Sequence, residues 1–125
     1  MRDLTGILGL GISGLAAFEL LKKQNKNIVV FDDKIKPNLK LKKYWKNYIS
    51  WYWNNLSRII ISPGIKINGK NKHPIVKLAE NHKVKLQNEI ELYFEQKPKS
   101  IIIGITGTNG KSTLASLISH ILSEN

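Results

Sequence analysis

Two short glycine-rich stretches carry the residue types that bind phosphate. The first, GLGISG at residues 9–14, fits the pattern G-x-G-x-x-G, and the second, GTNGKS at residues 107–112, ends in the Gly-Lys-Ser triplet of ATP-binding loops. Glycines let the backbone turn tightly and approach an anion, and the amide groups that open a following helix can then bind its oxygens. The sequence therefore predicts two phosphate sites.

The first loop predicts a nucleotide-diphosphate site. An apolar run at residues 4–8 precedes it and a helical pattern reaching about Gln24 follows, which is the strand, turn and helix that this mechanism needs. Asp32 closes a second apolar run at residues 27–31, where dinucleotide-binding proteins have an acidic residue. The loop and Asp32 also suit NAD, so an NAD-dependent oxidoreductase is one function that these residues permit.

The second loop predicts binding of the ATP phosphates. The strict motif would place a glycine at position 105, where this chain has Ile105, so only the compact half matches. Its amides can surround phosphate oxygens, Lys111 can neutralise phosphate charge as the catalytic lysine, and the Ser112 hydroxyl can bind Mg²⁺. The residues expected to contact ATP are Gly107, Thr108, Asn109, Gly110, Lys111, Ser112 and Thr113.

The elements that must position both loops alternate between strand and helix, which predicts an α/β fold with a parallel, doubly wound sheet and flanking helices. After the first two strands we expect a strand at residues 58–61, the turn Ser62-Pro63-Gly64, a helix with Pro74 in its first turn, a strand at residues 84–87, and a helix opened by a capping box of Asn88 and Glu91. The segment around Pro98 breaks the pattern. We therefore expect one domain at residues 1–97 and the start of a second at residues 98–125, opened by a strand at residues 100–105.

The formal charge of +11 raises nucleic acid as a partner. However, only Arg2 and Arg58 among the 20 basic residues are arginine, the residue that nucleic-acid surfaces favour. Residues 42–55 interleave aromatics with lysines and could stack on bases, but the alternative, that the aromatics pack beneath a sheet edge, is the one we expect. The sequence thus predicts no nucleic-acid partner.

Other features predict a protein of the cytoplasm. The chain is 42% hydrophobic, which suffices for a core, and it has no cysteine for disulfides or thiolate metal sites. It has no apolar run of the roughly 20 residues that a membrane helix needs and no signal-peptide pattern, so we expect no membrane insertion. Three histidines, His73, His82 and His120, lie on separate predicted elements, so we expect solvated or helix-capping histidines and no metal site.

Several motifs in a fixed order resemble the Mur ligase family. They are LGLGISGLAAFELL near the start, an acid closing the second strand, IIISPGI at residues 59–65, EIELYF at residues 89–94, and GITGTNGKST at residues 104–113. The Ser-Pro-Gly turn and the Ile-Glu-Leu helix favour the member that adds D-glutamate over the sister that adds L-alanine. The resemblance covers the chain from end to end, but only the first domain of the family and the beginning of its second.

The resemblance implies that the first domain is Rossmann-like and holds UDP rather than NAD. It carries over to the loop of Gly11, Ile12 and Ser13, to Asp32 and Asp33 at the uracil, and to the turn of Ser62, Pro63 and Gly64 beside the diphosphate. Asp33 stands where some members of the family have threonine.

The resemblance also implies a reaction. An ATP- and Mg²⁺-dependent ligase of this family, expected to be monomeric when intact, activates the carboxylate of UDP-N-acetylmuramoyl-L-alanine as an acyl phosphate, and D-glutamate then displaces phosphate to form an amide in peptidoglycan synthesis. The metal-positioning groups of the central domain and the third domain have no counterpart in these 125 residues. We therefore expect this chain to be a fragment without ligase activity of its own.

Overall fold

A computed structural model describes residues 1–124 of the chain. Its centre is a sheet of four parallel strands, β1 (Leu4–Leu8), β2 (Asn27–Phe31), β3 (Leu56–Ile61) and β4 (Lys85–Asn88), in the order β2-β1-β3-β4. The helices are α1 (Ile12–Lys23), α2 (Ile75–His82), α3 (Glu89–Glu95) and α4 (Lys111–Ser123). The predicted α/β, Rossmann-like sheet is confirmed, and the third strand begins two residues earlier than expected.

Side chains that alternate along the strands build a core on each face of the sheet. In β3, Ile60 packs on the side of α1 and α3, where it meets Phe18 and Leu92, whereas Ile59 and Ile61 pack on the side of α2. Both faces of a parallel sheet are covered in this way, which explains why its strands read as continuous apolar runs.

Two tryptophans of the aromatic segment belong to the second of these cores. Trp51 and Trp53 are buried, and their indole N–H groups donate to the carbonyls of Lys46 and Tyr48. The Trp51 ring lies against Gly6 of the central strand β1, where a Cβ would come within 2.5 Å of the ring. The packing interpretation is confirmed for these two side chains, although Trp51 lies beneath an inner strand of the sheet and not beneath its edge.

The helices α2 and α3 begin close to where the sequence predicts. Asn88 and Glu91 form the expected capping box at the start of α3, and Pro74 is the residue before α2. The chain leaves α2 through Lys83 in a left-handed conformation and enters β4 two residues later. These caps set the direction in which the chain returns to the sheet.

The predicted strand at residues 100–105 is wrong. This segment has no regular secondary structure, and within residues 1–124 no strand pairs with it. A strand needs a neighbour for its backbone N–H and C=O groups, and Ile101, Ile102 and Ile103 are all more than half exposed. From Lys99 to Glu124 no residue is buried, although α4 forms as expected.

Candidate functional site

A cavity of about 700 Å³ opens at the carboxyl ends of β1, β2 and β3. This is where the strand order reverses, the usual binding position in open α/β sheets. Three loops line it, one after each strand, and they bring together all eight residues that the sequence suggested for the UDP group: Gly11, Ile12, Ser13, Asp32, Asp33, Ser62, Pro63 and Gly64.

A glycine stands at each of three positions of the first loop for a different structural reason. Gly9 turns the chain with a φ of +95°, and a Cβ there would lie 2.5 Å from the Ser62 hydroxyl. Gly14 lets α1 pack on the loop, because its Cβ would lie 1.8 Å from the carbonyl oxygen of Gly9. A Cβ on Gly11 would meet nothing within 4 Å. Gly11 therefore leaves open space on the cavity wall, where a ligand can approach the backbone.

The start of α1 is available to an anion. Its first-turn amides have no partners within the helix, no side chain caps them, and the first turn contains no acidic residue. Ser13 donates its hydroxyl to a Glu89 carboxylate oxygen at 3.2 Å, so its side chain is engaged with α3. Backbone amides, rather than the Ser13 hydroxyl, are thus the donors that this terminus offers.

Ser62 joins the loop after β3 to the loop after β1. Its amide donates to the carbonyl of Leu8 at 3.0 Å, and its hydroxyl donates to the carbonyl of Gly9 at 3.2 Å. The Ser-Pro-Gly turn is therefore fixed to the glycine loop, and Pro63 and Gly64 continue from it along the cavity.

Asp32 clamps two loops together. One carboxylate oxygen accepts the amide of Leu10 in the glycine loop, and the other accepts the amides of Lys34 and Ile35, each at 2.7 Å. Burial raises the pKa of this carboxyl, but the hydrogen bonds from Ile35, Leu10 and Lys34 together outweigh it, so the pKa is lowered from its ordinary value. Asp32 thus uses most of its acceptor capacity on the backbone.

Asp33 has a different environment. One of its oxygens lies 3.0 Å from Nε2 of His73, and its side chain is 48% exposed at the cavity. His73 lines the same cavity, although the sequence pointed only to solvated or capping histidines. Capping is confirmed, because Nδ1 of His73 accepts the amide of Ile75 at the start of α2. The adjacent His73-Pro74 before a helix was the available signal, but the partner Asp33 lies 40 positions earlier.

Lysines give the cavity a positive rim. Lys34, Lys66 and Lys72 line it beside Asp32 and Asp33. Lys72 pairs with Glu80 at 3.3 Å, and both side chains of that pair are exposed, which makes it a weak contact. The rim therefore favours an anionic ligand.

The second loop is formed but isolated. Gly107 and Gly110 have positive φ values of 152° and 74°, and α4 begins directly after them at Lys111. The Lys111 ammonium donates to the carbonyl of Gly107, so its side chain folds across its own loop. The residues expected to bind ATP, Gly107 to Thr113, are all exposed.

Two further carboxylates, those of Glu91 and Glu95, stabilise the fold. Glu91 belongs to the capping box, and Glu95 pairs with Arg58 and accepts a hydrogen bond from Gln87. The bond from Gln87, followed by that from Arg58, lowers the pKa of Glu95. Across residues 1–124 no three His, Asp or Glu side chains gather as a metal site would require, and none of the helices described there has the length and apolar content to cross a bilayer.

Curated relatives of the chain include UDP-N-acetylmuramoylalanine--D-glutamate ligases from several bacteria. The chain is 39% identical to a UDP-N-acetylmuramoylalanine--D-glutamate ligase of Rickettsia bellii over 96% of its own length, and 39% identical to the enzyme of that name from the Wolbachia of Brugia malayi over 93%. A Prochlorococcus marinus protein of the same name is 32% identical over 95% of the chain. No family model matches the chain.

The relatives are much longer proteins. The chain spans 27%, 24% and 28% of the lengths of these three, about a quarter in each case. The match nevertheless includes almost every residue of this chain, both glycine loops among them, and agrees with the parallel sheet described above. The chain therefore belongs to the Mur ligase family, on the branch of the UDP-N-acetylmuramoylalanine--D-glutamate ligases.

Proposed function

We propose that residues 1–97 bind the UDP group of UDP-N-acetylmuramoyl-L-alanine, as the substrate domain of a ligase that adds D-glutamate to this compound. The observation that carries the proposal is the open space at Gly11, beside the uncapped start of α1, in a cavity lined by lysines. A diphosphate needs backbone amides, close approach and positive charge, and these three features supply them in one place.

The hydrogen bonds of the Asp32 carboxylate argue against the alternative of a dinucleotide cofactor. In NAD-binding domains the acid that closes the second strand accepts hydrogen bonds from ribose hydroxyls. Here Asp32 already accepts three backbone amides from the surrounding loops. That arrangement supports a nucleotide held by the loop backbones and gives no support to an oxidoreductase, and the curated relatives reported above are all ligases.

We further propose that residues 98–125 contribute the phosphate loop of an ATP site. Gly107 and Gly110 give the loop the backbone freedom that a phosphate cradle needs, and the residues present fit a nucleotide by type: amides from Thr108 to Lys111, the Lys111 ammonium, and the Ser112 hydroxyl for Mg²⁺. ATP supplies the phosphoryl group that activates the substrate carboxylate. Because a carboxylate and a phosphate repel each other, the role of Lys111 is to offset that charge.

Because these 125 residues would hold the UDP site but only part of the ATP site, we expect them to bind the substrate and to form no product. The residues of the phosphate loop are exposed, and within residues 1–124 no group of three metal-binding side chains is found. ATP- and D-glutamate-dependent product formation by the purified chain would contradict this prediction.

The first experiment is isothermal titration calorimetry of the purified chain with UDP-N-acetylmuramoyl-L-alanine and, separately, with NADH. We expect binding of the UDP compound alone. Gly11→Asp places a carboxylate in the open space without a clash and should raise the dissociation constant for the UDP compound at least about tenfold. The matched variant Gly104→Asp also lies in open space, but in the second segment, and its dissociation constant should stay within about twofold of that of the original chain. Binding of NADH alone, or equal binding by both variants, would contradict the proposal.

A further inference from the structure

The carboxylate of Glu89 lies directly behind the wall of the cavity. Glu89 is the first residue of α3, and one of its oxygens accepts the hydroxyl of Ser13 at 3.2 Å. Ser13 is the second residue of α1 and lines the cavity. A negative charge carried by α3 therefore stands beside the start of α1, which is the proposed site of the diphosphate.

No partner of opposite sign offsets this charge. The second oxygen of Glu89, Oε2, is buried, and within residues 1–124 no group donates a hydrogen bond to it. No lysine, arginine or histidine of the same range forms an ion pair with Glu89. Because solvent screens a buried charge only weakly, the carboxylate acts on any charged group that approaches Ser13.

The starts of two helices stabilise the Glu89 carboxylate. It belongs to the first turn of α3 and accepts its hydrogen bond from the first turn of α1. The start of a helix attracts negative charge. Glu89 and a bound anion therefore share the start of α1, and each further negative charge on the ligand adds to the repulsion from the carboxylate.

A nucleotide diphosphate exists in two forms that differ in charge. Free UDP ends in a phosphate whose second ionisation lies near pH ~6, so at about pH 8 this phosphate is doubly charged. When the same phosphate is esterified to a sugar, it keeps a single negative charge. The free nucleotide thus carries about one more negative charge than the esterified form.

We infer that Glu89 is a specificity-determining residue, which makes the cavity favour a nucleotide diphosphate that is esterified at its second phosphate over the free nucleoside diphosphate. Glu89 acts through its charge, from behind Ser13, whereas the rim lysines Lys34, Lys66 and Lys72 attract both forms. This inference rests on the proposed binding of UDP and deepens it by naming the form of diphosphate that the site selects.

Three substitutions test the charge of Glu89. Glu89→Gln removes the charge but keeps the shape of the side chain and an oxygen that can accept the Ser13 hydroxyl. Glu89→Ala removes the charge together with that hydrogen bond. The matched control Glu91→Gln removes a charge from the same helix, at a position of the capping box where glutamine also serves.

The experiment is isothermal titration calorimetry of the full 125-residue chain and its variants with UDP and with UDP-N-acetylglucosamine at about pH 8, with folding checked by circular dichroism. The quantity compared is the dissociation constant for UDP divided by that for UDP-N-acetylglucosamine. We expect this ratio to fall at least about threefold in Glu89→Gln and in Glu89→Ala, and to stay within about 1.5-fold of the original in Glu91→Gln. The fall should be smaller in about 0.5 M salt, because ions that enter the open cavity screen the repulsion.

A purely structural role of Glu89 would give a different result. It would change the two dissociation constants by the same factor and leave their ratio unaltered, with no dependence on salt. That outcome, or an equal fall of the ratio in Glu91→Gln, would overturn the inference. Loss of folding in both Glu89 variants would also overturn it, because Glu89 would then act on the fold rather than through its charge.

Failure of the proposed function can be distinguished from failure of this inference. If the original chain binds neither UDP-N-acetylglucosamine nor UDP-N-acetylmuramoyl-L-alanine, both are wrong. If it binds them and the ratio is the same with and without the charge of Glu89, the UDP site stands and only the role of Glu89 is wrong.

Discussion

The two glycine loops have similar residues but different surroundings. The first is fixed by Ser62, by Asp32 and by the contact of α1 with its backbone, and it opens onto a cavity. The second precedes a helix as its motif predicts, yet every one of its residues is exposed and the expected strand before it is absent. A glycine motif therefore determines a loop and a helix start, whereas a binding site also needs loops from neighbouring strands.

The largest expected effect is from Gly14→Ala. Its Cβ would lie 1.8 Å from a backbone oxygen that cannot move without breaking the turn, so we expect a loss of roughly 3 kcal/mol in the free energy of unfolding. Gly104→Ala meets no atom within 4 Å and should change that free energy by less than about 0.5 kcal/mol. Urea unfolding followed by circular dichroism measures both. Equal midpoints for these variants would remove the structural difference drawn between the two loops.

A smaller effect is expected from Asp32→Asn, which removes charge from the clamp of the first loop. Hydrogen bonds to a charged group are worth about 2 kcal/mol each, and the amide can replace only some of them, so we expect a loss of about 1–3 kcal/mol. Asp33→Asn, one position along and exposed, should stay within about 0.5 kcal/mol of the original chain.

The same clamp gives a pH dependence. The pKa of Asp32 is lowered from 3.8, so its contribution to stability is fully present above about pH 4–5 and is lost as the pH falls through the folded-state pKa. The difference in unfolding free energy between the original chain and Asp32→Asn should therefore shrink on acidification below pH 3.8. A difference that stays constant from pH 6 to pH 2 would show that the charge of Asp32 is not what holds the loops.

The smallest effect is expected from Lys111→Ala in the second loop. Among residues 1–124 the side chain of Lys111 hydrogen-bonds only to the carbonyl of Gly107, and it is exposed, so neither stability nor UDP binding should change measurably. Urea unfolding and titration with UDP test this. A loss of UDP affinity would show that the two loops act on one ligand, contrary to the comparison above.

The sequence predicted most of the fold because its signals are local. The capping box of Asn88 and Glu91 depends on residues three positions apart and is found, and α2 begins directly after Pro74, which the sequence placed in its first turn. Residues 100–105 were predicted wrongly because three consecutive isoleucines show only that a strand would be buried if a partner strand lay beside it. Pairing is a property of the sheet and not of the segment.

The candidate site could also be predicted only as far as its signals are local in the sequence. Each loop after a strand could be found from its own residues, and the three loops do meet at one cavity. The different roles of Asp32 and Asp33 could not be found, because they depend on Leu10 and His73, which lie 22 positions before and 40 positions after their partners. The binding roles themselves remain predictions.

The tryptophans beneath the sheet have a consequence for spectroscopy. All three lie between residues 45 and 53, two of them buried, and residues 98–124 contain no tryptophan, tyrosine or phenylalanine. Intrinsic fluorescence therefore reports only whether the sheet is intact, whereas circular dichroism also records α4. Melting followed by the two signals on a single sample would separate loss of the nucleotide-binding part from loss of the helix after the second loop.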